Sequence, residues 1–132
     1  MEILISDHKT LADIKNEFNA LFPHLKLEFY EKKHSGGHGS DEKYQYDSRL
    51  KIGTVKKKQH SGHLKILGSM KTKALEQSFQ DLYGLNVQLF RLSGHIWLQS
   101  TSTDEWTLSE QELHSAEKNT TLSYEKDLPD WD

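Results

Sequence analysis

Shifting the chain by 61 positions lays residues 3–22 on residues 64–83 without a gap, and this self-similarity limits the fold more than any other feature of the sequence. Ile3, Ile5, Ile14, Phe18, Leu21 and Phe22 fall on Leu64, Ile66, Leu75, Phe79, Leu82 and Tyr83. After one deletion, Leu25, Leu27, Phe29 and Tyr30 fall on Leu85, Val87, Leu89 and Phe90. Most matched positions are apolar, so the correspondence speaks of repeated structure and makes no claim of a shared site.

Within each copy the apolar period changes. Ile3 and Ile5 alternate as on a strand, Leu11, Ile14, Phe18 and Leu21 step by three and four as on one helix face, and Leu25 to Glu31 alternates again. Thr10 is placed to cap the helix through its hydroxyl, and Pro23 forbids the helix from running on. The second copy follows the same order: a strand through Leu64 and Ile66, a helix through Leu75, Phe79 and Leu82, a stop at Gly84 and a strand from Leu85. Two βαβ units in series predict an α+β domain with a ferredoxin-like antiparallel sheet and helices on one face, extended by a C-terminal hairpin strand and helix. That architecture hosts many activities and names none.

Ser93-Gly94 predicts a tight hairpin that sets Phe90 opposite Trp97 and Leu92 opposite His95 on one face, with Leu89 and Leu98 on the other. Both faces then carry apolar groups, so the second should be covered or should bind something. Thr107-Leu108-Ser109-Glu110 fits a capping box and predicts a helix from Leu108 to about Glu117, with Leu108 and Leu113 as its thin apolar stripe. Trp106 is expected to pack on the Phe90/Trp97 face. The domain is expected over 1–117, with 33–62 a flexible Gly/His/Lys-rich link in which Leu50, Ile52 and Val55 mark a short strand or helical turn. Residues 118–132 read as an acidic tail, anchored at its end by Trp131.

The 132 residues suit one domain, and 34% hydrophobic residues with a mean hydropathy of -0.79 leave much of the chain as surface. No apolar run reaches the roughly 18 residues needed to span a bilayer, and MEILISDHKT lacks the features of a secretory signal, so a cytoplasmic protein is expected. Zero cysteines exclude disulfides, thiolate metal sites and a cysteine nucleophile. The net charge of -3 is unevenly spread: residues 49–73 hold eight basic and no acidic side chains, while residues 102–132 hold two lysines and nine acids. The two segments can attract each other within the molecule, or the basic one can seek an outside polyanion.

Residues 84–111, GLNVQLFRLSGHIWLQSTSTDEWTLSEQ, resemble a family of small uncharacterised bacterial proteins. In that family an FGL-V-Q-V-F-R-x-S-G strand leads through a hairpin into W-L-x-T-x-x-T-D-x-W-T-L-x-E-Q. The matching residues are Gly84, Leu85, Val87, Gln88, Phe90, Arg91, Ser93, Gly94, Trp97, Leu98, Thr103, Asp104, Trp106, Thr107, Leu108, Glu110 and Gln111. The pattern covers about a fifth of the chain, and the N-terminal half resembles it more loosely. The resemblance implies no catalytic role; it implies that the hairpin and the turn after it define the protein.

Candidate chemistry is sparse. His34 and His38 in HSGGH and His60 and His63 in HSGH have metal-compatible spacing, but the lysines around them would repel a cation, so no metal or other cofactor is expected. Ser93, His95 and Asp104 make a triad only on paper, because Ser93-Gly94 already serves as a turn and no G-x-S-x-G elbow exists. Gly36, Gly37 and Gly39 do not form a phosphate loop, and the acids cluster in a solvated tail without apolar context. The chain is therefore read as a non-catalytic protein-interaction or self-association module that uses Phe90, Arg91, Trp97 and Trp106. The alternative is single-stranded nucleic-acid binding, with Tyr30 and the aromatic face stacking bases and Lys56, Lys57 and Lys58 at the rim.

Overall fold

The computed structural model describes residues 1–33 and 39–127, with side chains to 118. Strand β1 (Glu2–Ile5), helix α1 (Leu11–Leu21) and strand β2 (Leu25–Tyr30) form the first βαβ run. A 3₁₀ turn (Glu42–Tyr44) and a one-turn helix α2 (Ile52–Val55) follow. Strand β3 (Gly62–Lys65), helix α3 (Thr72–Tyr83) and strand β4 (Asn86–Ser93) form the second run, and strand β5 (Ile96–Gln99), a 3₁₀ turn (Thr101–Thr103) and helix α4 (Leu108–Asp127) complete the described elements.

Local chemistry explains most of these boundaries. The Thr10 hydroxyl accepts from the Asp13 N–H (3.1 Å) while the Asp13 carboxylate accepts from the Thr10 N–H (2.9 Å), a reciprocal cap. Thr107 and Glu110 form the same box at α4, both bonds 3.1 Å. Gly84 takes φ +63° after α3, a conformation that costs glycine nothing.

The chain is α+β, but its strands form two antiparallel sheets and not the single ferredoxin-like sheet expected. β1 pairs with β3, while β2 pairs with β4 and β4 with β5. A ferredoxin-like sheet needs the second strand of one unit beside the first strand of the other; here the two second strands choose each other. Ile3 lies opposite Leu64 and Glu28 opposite Gln88, so each pairing is centred on residues that coincide when the sequence is shifted on itself. The hairpin turn also lies one residue later than expected, at Gly94-His95, and Leu92 faces Trp97. Gly94 has φ +65° and, among the described residues, no non-glycine residue has positive φ, which suits a type II′ turn with glycine first.

Hydrogen bonds close each half in the same way. The first N–H groups of a helix have no acceptors within it. At α1, Leu11 donates to the Leu50 carbonyl (2.9 Å) and Ala12 to that of Ser48 (2.8 Å), while Ile52 donates back to Lys9 (2.8 Å). At α3, Thr72 donates to Trp106 (2.8 Å) and Lys73 to Asp104 (2.8 Å), while Leu108 donates back to Met70 (3.0 Å). Much of the segment expected to be a flexible link is thus bonded: residues 44–46 return beside β2 through a Tyr30–Gln45 bridge, and Ile52 and Val55 of α2 are buried. Beyond Glu117, where an acidic tail was expected to begin, α4 stays helical to Asp127; Trp131 lies outside the described residues.

One core joins both sheets. Ile3, Ile5 and Leu64 of the first sheet, with Ile66 just beyond β3, meet Leu25, Leu27, Phe29, Val87 and Leu89 of the second, with Ile14, Phe18, Leu75 and Phe79 from the long helices. Phe79 packs edge-on to Phe29 at 5.8 Å between ring centres. α4 contributes Leu108, while Leu113 is 61% exposed and so does not extend the apolar stripe. Phe79→Ala should cost about 3–5 kcal/mol, as for a fully enclosed aromatic ring, measured by urea unfolding. A loss under about 1 kcal/mol would contradict this central placement.

Candidate functional site

Alternation along β2, β4 and β5 sends Leu25, Leu27, Phe29, Val87 and Leu89 inward and Lys26, Glu28, Tyr30, Gln88, Phe90, Trp97 and Gln99 to the other side. This outer face carries the Phe90 and Trp97 rings that the sequence set together on one side of the hairpin. Residues 40 and 45 lie across part of it. The Ser40 N–H donates to Gln99 Oε1 (2.8 Å), Gln99 Nε2 donates to the Ser40 carbonyl (2.9 Å) and the Ser40 hydroxyl to Gln88 Oε1 (3.2 Å). Gln45 Nε2 donates to Glu28 Oε2 (2.6 Å). What stays open is a groove of about 350 Å³ lined by Lys26, Glu28, Tyr30, Glu42, Gln45, Phe90, Trp97 and Gln99.

The electrostatics of the groove centre on Glu28, which is only 5% exposed. A carboxylate so far from water must be paired, and Lys15 Nζ lies 2.8 Å and Lys26 Nζ 3.5 Å from its Oε1. Lys26 also holds its ammonium over two rings, 5.2 Å from the centre of Phe90 and 5.0 Å from that of Trp97. Such a cation is drawn to the negative faces of the rings. Tyr30 is 2% exposed. Burial, and then the nearby Glu28 and Glu42 carboxylates, push its phenol well above the usual tyrosine range.

The other two expected interaction residues lie on the opposite face. Arg91 places its guanidinium 5.7 Å from the Trp106 ring and donates to the Thr103 hydroxyl (3.0 Å). Trp106 meets His114 edge-on at 5.3 Å, and its carbonyl takes both the Thr72 N–H (2.8 Å) and the Thr72 hydroxyl (2.9 Å). Beside it, fully buried Gln111 donates to the Thr103 carbonyl (2.7 Å), the Thr103 hydroxyl (3.0 Å) and the Thr72 hydroxyl (3.1 Å). The TDEWTLSEQ segment is thus a joint that seats α4 on the start of α3, and Trp106 belongs to this joint and not to the Phe90/Trp97 face.

The residues of the nucleic-acid reading are divided. Tyr30 lines the groove, but Lys56, with only 6% of its side chain exposed, pairs with Asp7 at 2.5 Å. Lys57 and Lys58 donate to the carbonyls of Glu31 (3.3 Å) and Asp81 (2.7 Å). The His60 ring lies tilted against Tyr83 at 5.5 Å between ring centres, His63 lies 3.7 Å from Glu2, and His34, His38, Gly36 and Gly37 fall outside the described residues. Among the described residues no group of three or more His, Asp or Glu is placed to hold a metal, and no helix is long and apolar enough to cross a membrane. Ser93 pairs with Ile96 on the hairpin, and the Asp104 main chain serves α3.

Glu28, Lys26 and Gln99 escaped the sequence reading because a polar residue in an alternating strand reads as a solvated face, and Lys15 on α1 and Gln45 in the following loop join them only through the tertiary fold. Only Gln88, as a member of the quoted motif, carried a signal. No family model, no curated protein and no solved structure matches this chain.

Two outcomes follow from these contacts. Tyr30 stays neutral in the folded protein at a pH where an unfolded tyrosine ionises, so its contribution is intact below about pH 10 and is lost as pH rises further. Tyr30→Phe should flatten the fall in stability above about pH 10, read from urea midpoints at stepped pH; an unchanged alkaline limb would refute the assignment. Gln111→Ala leaves the polar groups of Thr72 and Thr103 short of a partner and should cost about 1–3 kcal/mol. A neutral result would mean that the joint does not depend on Gln111.

Proposed function

We propose that this protein is a non-catalytic self-association module whose docking element is the β4–β5 hairpin. The observation that carries the reading is the state of β5. Ile96 and Leu98 stand on the face that forms the core elsewhere in the sheet, yet they are 64% and 39% exposed. β5 is also the outer strand of the β2–β4–β5 sheet, with β4 as its one partner strand among the described residues. Ser100 donates to the Leu89 carbonyl (3.1 Å), so Leu98 and Ile96 share its inward bonding phase. The N–H and C=O groups of Trp97 and Gln99 therefore point away from β4.

Proteins usually blunt such an edge with lysine, proline or a bulge. The sequence of β5, Ile-Trp-Leu-Gln, has none of these devices. A second copy fits because an antiparallel edge pairs with itself about a two-fold axis, and two β5 strands would join two three-stranded sheets into one of six. Each copy would then cover the Ile96 and Leu98 side chains of the other.

Sedimentation across a range of protein concentrations tests the idea. The native chain should show a monomer–dimer equilibrium, and Ile96→Lys with Leu98→Lys should abolish it while the urea midpoint stays nearly unchanged, because both side chains are exposed. A native chain that remains monomeric at the highest concentration, or a double variant that still dimerises, would overturn the proposal.

A further inference from the structure

We infer that the groove on the outer face of the β2–β4–β5 sheet is a cation site for the guanidinium of an arginine side chain, and that Lys26 is its resident occupant. The recognition elements are already assembled around Lys26. Its ammonium faces the rings of Phe90 and Trp97 at 5.2 and 5.0 Å and the Glu28 carboxylate at 3.5 Å, and Glu42 brings a second carboxylate to the same lining. Aromatic faces joined to carboxylates are the chemistry that selects a cation.

Lys26 does not fill the space it occupies. The groove keeps about 350 Å³ open beside it, and 29% of its side chain is exposed, so the chain can swing to water without disturbing the core. Glu28 would not be stranded by that movement, because Lys15 holds it at 2.8 Å from the helix side and Gln45 donates to it at 2.6 Å. The two rings would lose their cation.

A guanidinium suits the vacated position better than another ammonium. It is flat, it stacks on Trp97 or Phe90 while keeping its edge free for carboxylate and amide oxygens, and it leaves water at lower cost. Removal of Lys26 also makes the lining more negative, which adds attraction for the incoming charge. The site faces away from Ile96 and Leu98, so it stands or falls apart from edge pairing.

The test uses N-acetyl-arginine amide as the probe and the Trp97 indole N–H resonance as the reader, assigned with Trp97→Phe. Lys26→Ala should bind the probe at least tenfold more tightly than the native chain, with Lys26→Met, which keeps the apolar stem, as a second opening variant. Adding Glu42→Gln should weaken that binding severalfold, and N-acetyl-citrulline amide, of similar shape but uncharged, should leave Trp97 unmoved. Equal binding by the native chain and both opening variants, or an equal response to the citrulline probe, would overturn the inference.

Discussion

The two-stranded sheet of this protein is too small to stand alone, and the core it shares with the three-stranded sheet is the constraint on which the rest depends. A two-stranded ribbon such as β1–β3 is marginal in water by itself. It persists because Ile3, Ile5 and Leu64 are buried in the same cluster as Phe18, Phe79, Leu27 and Leu89. Burying side chains of that size contributes on the order of 1.5–3 kcal/mol each, before the entropy of ordering the chain is set against it. The bonds at the starts of α1 and α3 then fix how each half closes over the core. They satisfy helix amides that would otherwise lack acceptors, and they set the direction in which α2 and α4 leave.

The joint around Gln111 shows why a distinctive sequence motif need not be a binding surface. Thr103, Trp106, Thr107, Leu108, Glu110 and Gln111 each have a structural partner: a hydroxyl for Arg91, a carbonyl for Thr72, a capping box, a core contact and a buried amide network. Buried networks of this kind are specific in what they require. An amide whose two N–H groups are shared among three oxygens in one helix orientation is left unsatisfied in others, so Gln111 fixes the seating of α4 where an apolar residue would fix it loosely.

Much of the local structure was legible in the sequence, and the reason is that caps and periodicities are short-range. Thr10, Gly84 and Thr107-Glu110 act over one helical turn, and the apolar spacing of Leu11, Ile14 and Phe18 needs no knowledge of the partner sheet. Strand partners are different. Alternation tells which residues face the core but not which neighbour a strand selects, and so β2 beside β4 could not be distinguished from a ferredoxin-like order. The hairpin moved for a related reason: Ser93-Gly94 and Gly94-His95 are both acceptable turns, and a glycine-first turn decided between them. Phe90 and Trp97 share one face as the alternation requires, whereas Trp106 is elsewhere, because its chain direction is set by the Thr72 bonds across the molecule.

The two faces of the second sheet depart from simple patterning in opposite ways. On the inner face, apolar character runs past the edge of the core and emerges at Ile96 and Leu98; on the outer face, Glu28 and Gln88 are charged or polar yet have almost no access to water. An exposed apolar strand forgoes burial, and a buried ion pair is commonly no more stable than an apolar replacement of equal volume. Neither feature is explained by the stability of this fold, since Leu89 and Leu27 already hold the sheet from the inside. Departures from patterning that bring no stability are expected where a surface is used. Both fall on the hairpin sheet, with the edge of β5 offering main-chain bonds and the groove offering rings and carboxylates. The helical side of the molecule, closed by the bonds at α1 and α3, holds these two surfaces in place.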